Sequence, residues 1–172
     1  DEAAIEARNG AMLASFEKAL GQLVESRMTE GRRLAPVIED QLASIAQLVE
    51  TIGASPSRSP DAIRAKLKEQ VARLLDAATP LDEARLHQEA ALLAVKADVE
   101  EELQRLRAHV AAARELMAGG KPAGRRLDFL AQEFNREANT LCSKANAVEI
   151  TRLGLQLKTV IDQLREQVQN VE

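Results

Sequence analysis

Gly124-Arg-Arg-Leu-Asp-Phe-Leu-Ala-Gln-Glu-Phe-Asn-Arg-Glu-Ala-Asn-Thr-Leu-Cys-Ser-Lys144 has no proline and no interior glycine, and its large apolar residues recur every three or four positions. Leu127, Leu130, Phe134, Ala138 and Leu141 make a narrow seam, as in a helix that buries one stripe against a neighbour. Gln132, Arg136, Asn139 and Ser143 share one polar face, and Glu133, Glu137, Thr140 and Lys144 share the adjacent one. Asn, Thr and Ser at 135, 139, 140 and 143 lower helix stability relative to Ala, Lys or Glu. A sequence that accepts that cost uses the groups for buried polar contacts or for a ligand. Phe129 and Phe134 are expected in the core.

Outward from this segment the chain keeps the same period. Its 172 residues are 45% hydrophobic, mostly Ala, Leu and Val, with 2% aromatics (Phe16, Phe129 and Phe134). Strands favour aromatic and β-branched residues, which are sparse here. The length suits one or two domains. The expected fold is all-α, with about five to six helices packed as long antiparallel hairpins or a bundle. Residues 3–52 read as helix with two apolar stripes. The first is Ile5, Met12, Phe16, Leu20, Leu23 and Val24, and the second is Leu34, Ile38, Leu42, Ile45, Leu48, Val49 and Ile52. Pro36 predicts a bend or break between Gly31 and Pro36.

The stretch Gly53 to Pro60 reads as a loop. Ser59-Pro60-Asp61 then opens a helix, with Ser as the N-cap and Pro in the first turn. It is expected to run to about Ala78, where Thr79-Pro80 breaks it. A single unbroken helix is expected from Asp82 to Ala118, stopped by Gly119-Gly120-Lys121-Pro122. A last one is expected from Glu149 to Asn170, after a break near Asn146. Three units result: 1–52, a long N-terminal helical segment, which the family resemblance described below implies is linked to a further N-terminal domain; 53–81, a loop and helical arm; and 82–172, a C-terminal helical domain.

Net charge is −4, so no global basic footprint for nucleic acid exists. A lone Cys142 forms no internal disulfide, fits a reducing compartment, and reads as a packed thiol. No apolar run approaches the ~18 residues of a membrane span. The chain begins Asp-Glu-Ala-Ala without a signal pattern or Met, so residue 1 is expected to lie inside a longer protein. There is no internal repeat, phosphate loop, Gly-rich dinucleotide motif, zinc spacing or nucleophile elbow. Few aromatics argue against base-stacking platforms.

A second polar stripe precedes the first. Asp98, Glu102, Arg105 and His109 follow at spacings of 4, 3 and 4, which puts them on one helix face with Glu101 beside Arg105. Two readings stand side by side: a solvated, salt-bridged face, or carboxylates and an imidazole able to hold a divalent cation or move protons. The 124–144 helix has the same two sides. Its amides and charges suit either a buried network between helices or recognition of phosphate and sugar.

Gly124 to Leu141 with Ser143-Lys144 resembles the signature of the bacterial YicC-like family. So do Arg85-Leu86 with Gln88-Glu89, Ala97-Asp98-Val99, Glu101-Glu102-Leu103, Arg105-Leu106 leading to His109, and the terminal Leu164 to Glu172. Arg27-Met-Thr-Glu-Gly31 is similar to its Arg-x-x-Glu-Gly element. The likeness is continuous from about 85 to 172 and thinner before. Cys142 stands where small residues are common, and His87 at a variable position.

The resemblance implies a cytoplasmic endoribonuclease that needs a divalent cation, Mn or Mg, with no small-molecule cofactor. It implies RNA as partner, no membrane, a ring-like homo-oligomer (a hexamer), and an N-terminal domain before residue 1. On that basis Glu89, Asp98, Glu102 and Asp128 are candidate metal ligands, and His109, Glu133 and Glu137 are candidate catalytic groups. Arg105, Arg125, Arg126, Arg136, Asn139 and Lys144 are candidate RNA contacts. The alternative is a non-catalytic helical module for oligomerisation or RNA binding, with chemistry supplied by the N-terminal domain or a partner.

Overall fold

Leu34, Ile38, Leu42, Ile45, Val49 and Ile52 recur at spacings of three and four and are all buried, so the core starts at Leu34. They belong to α1, Glu2–Gly53, in a computed structural model that describes residues 2–74, 83–96, 98–120 and 122–171. The remaining helices are α2 (Pro60–Leu74), α3 (Glu83–Lys96), α4 (Glu100–Ala118), α5 (Gly124–Lys144) and α6 (Val148–Val168). A 3-10 turn, Pro56–Arg58, lies between α1 and α2. No strand occurs among the described residues, and the all-α expectation holds.

The second half of α1 packs with α4, α5 and α6 in a four-helix bundle. Ion pairs give the directions. Glu39 meets Arg114 and Glu50 meets Arg107, so α4 runs against α1. Short connections at 119–123 and 145–147 make α5 antiparallel to α4, and α6 antiparallel to α5. In the first of these, Gly120 takes φ +62, a left-handed turn that favours glycine. Phe134, Leu42, Ile45, Leu103, Leu106, Leu141 and Leu157 are fully buried at the centre. Helices α2 and α3 pack on each other as a hairpin, with Ile63 and Ala90 buried.

Four expectations need correction. First, of the bend or break expected between Gly31 and Pro36, the break does not occur, since α1 continues through Pro36. Pro36 deletes one backbone bond, a cost of about 3 kcal/mol in a helix interior. Strong helix formers precede it, and the buried stripe begins beside it. Second, the stripe Ile5, Met12, Phe16, Leu20, Leu23 and Val24 stays exposed.

Third, the helix expected over 82–118 is two helices, α3 and α4. The cause is Asp98: its Oδ1 accepts the Glu100 N–H at 2.9 Å, while its own N–H closes the last turn of α3 on the Val95 carbonyl. Three consecutive glutamates, 100 to 102, then suit the positive start of α4. Fourth, Phe129 is 60% exposed and not in the core, whereas Phe134 is buried as expected.

The Ser59 cap is present: its Oγ accepts the Ala62 N–H at 3.2 Å. The expected break at Thr79-Pro80 and helix start at Asp82 lie outside the described residues, as does Ala97.

Candidate active site

Antiparallel packing turns the two polar stripes toward each other. Along α4 the sequence Glu102, Arg105, His109 runs one way, and along α5 Glu133, Glu137, Lys144 runs the other. At one end the Lys144 Nζ donates to Glu102 Oε1 at 2.8 Å. In the middle the Arg105 Nη1 donates to Glu137 Oε1 at 3.2 Å, and a second guanidinium nitrogen holds Glu101. At the other end one ligand atom each from His109, Glu133 and Glu137 lie within 4.8 Å of one another.

Burial makes these contacts matter. The Glu102 and Glu137 side chains are 6% and 4% exposed, and an ionised carboxylate so placed needs a counter-charge. Lys144 supplies one, and its bond to Glu102 holds the ammonium pKa above the ordinary lysine value. Arg105 supplies the other, and the bond to Glu137, with the Glu101 charge, raises the guanidinium pKa further. Glu133 is 27% exposed, with Arg136 at 3.9 Å.

Two atoms in this row are buried without a hydrogen-bond partner: Glu102 Oε2 and His109 Nε2. The His109 ring stands edge-on to Phe134 at 5.6 Å between centroids and 76° between planes, which fixes its orientation. An imidazole that carries a buried, unpaired nitrogen and converges with two carboxylates is what a bound divalent cation would satisfy. One nitrogen and two oxygens suit Mn-type cations better than Mg, which prefers an all-oxygen shell.

The sequence-derived candidates separate in space. Asp98 sits in the α3–α4 break rather than on the α4 face, exposed, 3.8 Å from Arg58. Glu89 is exposed on α3. Asp128 is half-buried and accepts from Gln132 Nε2 at 2.9 Å. Neither of these carboxylates joins the converging group. Arg136 is 72% exposed beside Glu133. Asn139 turns toward α6: its amide donates to Asn135, which donates to Asp162.

Arg125 and Arg126 are exposed in the first turn of α5. With Ala112, Glu115, Leu116, Phe129 and Leu130 they line an open cavity of about 500 Å³. Near the opposite end, Lys66 and Lys96 from the α2–α3 hairpin join Lys144, Ser143 and Asn146 around a cavity of about 350 Å³. Lys66 donates to the Asn146 carbonyl there.

Phe129, Lys66 and Lys96 escaped the sequence reading. For Phe129 a signal existed, since it is off the 127–130–134–138–141 spacing. For the two lysines none did, because only the hairpin's docking brings them near α5.

Residues 52–172 match the family described as Endoribonuclease YicC-like, C-terminal. A protein of Haemophilus influenzae named probable endoribonuclease YicC is 39% identical over 161 residues, which cover 94% of this chain and 55% of the relative. A Clostridioides difficile protein of the same name is 36% identical over 158 residues, 92% of this chain and 54% of the relative. The chain thus spans about half the length of these curated relatives.

Proposed function

This chain belongs to the YicC-like endoribonuclease family, and from that premise we propose that it forms the C-terminal part of a metal-dependent endoribonuclease with its cleavage site on the α4–α5 face. The observation that carries this reading is the convergence of His109, Glu133 and Glu137 within 4.8 Å, with His109 Nε2 buried and unpartnered. These three would hold the cation. Bound there, a divalent cation supplies charge stabilisation for a phosphodiester and acidifies a nucleophilic hydroxyl or water.

The protein's own groups have supporting roles. Phe134 and the packed α4–α5 seam hold the imidazole in place. Arg105 donates to one oxygen of Glu137 and so fixes the carboxylate on the α4–α5 face. Arg136 lies outside the carboxylates, where it can meet a phosphate oxygen. In this reading the metal role passes from Glu89, Asp98, Glu102 and Asp128 to the converging three, and Glu102 with Lys144 becomes a structural pair. RNA is the partner, and the compartment is the bacterial cytoplasm.

The test uses the whole protein with single-stranded and structured RNA, in Mn, Mg and chelator. His109→Ala, Glu133→Gln and Glu137→Gln are each expected to lower cleavage about 100-fold or more and to weaken Mn binding by calorimetry. Full activity in all three variants, or cleavage insensitive to chelator, overturns the assignment.

A second reading has its own observation. Ile5, Met12, Phe16, Leu20, Leu23, Val24 and Met28 are all exposed along α1, a patch that favours assembly of copies. The chain would then serve as an oligomerisation module. Phe16→Glu with Leu23→Glu, measured by light scattering, separates the two: loss of assembly with cleavage intact assigns α1 to assembly alone.

A further inference from the structure

Phe129 is a large aromatic left 60% exposed on a helix whose other phenylalanine is fully buried. It stands four residues, one turn or about 6 Å of rise, before Glu133. Arg125 and Arg126 lie one turn before it, and all three line the same open cavity. Across that cavity are Leu116, Ala112 and Glu115. One aromatic face, two guanidiniums and a wall that is apolar apart from one carboxylate match a single nucleotide: the ring takes the base, the arginines take its phosphate, and Glu115 accepts from a base-edge N–H. The carboxylate disfavours a second phosphate on that wall.

We propose that this cavity is a stacking subsite for one unpaired base of single-stranded RNA, next to the phosphate that is cut. The proposal rests on the RNA-cleaving reading of the neighbouring His109–Glu133–Glu137 group. A base in a duplex is already stacked on both faces, so only an unpaired nucleotide can offer a free face to Phe129. The subsite therefore selects single strands, loops or bulges.

Binding, not cleavage, tests it. The whole protein carrying Glu133→Gln is titrated, in excess Mn, with a short single-stranded RNA, with the same RNA annealed to its complement, and with versions holding one abasic nucleotide at successive positions. Phe129→Ala is expected to weaken single-strand binding about 10-fold or more, while Phe129→Trp retains it. One abasic position should weaken the parent and leave the Phe129→Ala protein unaffected. Arg125→Gln with Arg126→Gln should lower the salt dependence of binding by about one to two counterions.

Equal affinity of parent and Phe129→Ala overturns the subsite, as does duplex binding as tight as single-strand binding. A change of oligomeric state in Phe129→Ala with RNA affinity intact also overturns it and makes the ring an assembly contact. If Glu133→Gln still cleaves, the metal assignment fails, but the abasic scan on uncleavable 2′-O-methyl RNA still decides the stacking.

Discussion

Lys144→Met keeps the aliphatic stem of the lysine and removes its charge from Glu102. The Glu102 carboxylate is 6% exposed, its Oε1 is held by Lys144 at 2.8 Å, and its Oε2 has no partner. Stripping one partner from a buried pair costs roughly 3–5 kcal/mol, because a charge is left without compensation. Lys144 itself is 32% exposed, so water screens the pair and can replace part of what the ammonium supplied. The expected loss is therefore about 2 kcal/mol. In a chain of this size that lowers the melting temperature by roughly 4–8 °C.

Asp98 and Glu101 also favour the Lys144 charge, so the variant removes a cation that three carboxylates near the α4 start share. Urea denaturation of the parent, Lys144→Met, Glu102→Gln and the double variant gives a complete cycle. Glu102→Gln in the Lys144→Met background is expected to recover most of the loss, a coupling of more than about 1 kcal/mol. A Lys144→Met protein within about 0.5 kcal/mol of the parent refutes the reasoning, as does a cycle with no coupling.

Three further outcomes are expected. A Cβ on Gly154 would meet the Cys142 sulfur at 2.7 Å. Gly154→Ala should therefore destabilise by about 1 kcal/mol, overpacking exceeding the helix-propensity gain, and adding Cys142→Ala should restore the parent's urea midpoint. Burial pushes the Cys142 thiol pKa above its ordinary value, so alkylation by iodoacetamide near pH 8 should be far slower in the native protein than after unfolding. Equal rates would contradict it.

Arg107 holds the Glu50 carboxyl, and Arg58 the Glu100 carboxyl, below the ordinary value of 4.5. The stability from these pairs is present above that value and is lost as pH falls through the lowered ones. Arg58→Ala with Arg107→Ala should thus be less stable than the parent near pH 7 and lose less on acidification to about pH 3. Urea midpoints at both pH values check this, and parallel losses in parent and variant would count against it.

Most helix positions were legible because burial imposes a 3.6-residue period on the sequence. The α5 limits, Gly124 and Lys144, follow from its seam and from the glycines and proline before it. The α3–α4 break was not legible, because it depends on an aspartate side chain turned to the Glu100 N–H rather than on proline or glycine. Whether α1 continues through Pro36 was left open for a related reason: proline weakens a helix by a few kcal/mol, and neighbouring burial and propensity outweigh that.

By itself, the sequence determined an all-helical chain with two polar stripes, 98–109 and 124–144, and named the residues on each. Helical period assigns a residue to a face of its own helix. It does not say which face of another helix lies opposite, or at what register. Only the antiparallel docking of α4 on α5 matched Glu102 with Lys144, Arg105 with Glu137, and His109 with Glu133 and Glu137. That docking left Asp98, Glu89 and Asp128 outside the converging group. It also left Phe129 facing solvent beside that group, because the α5 seam fills the core and a ring off the seam has no place in it.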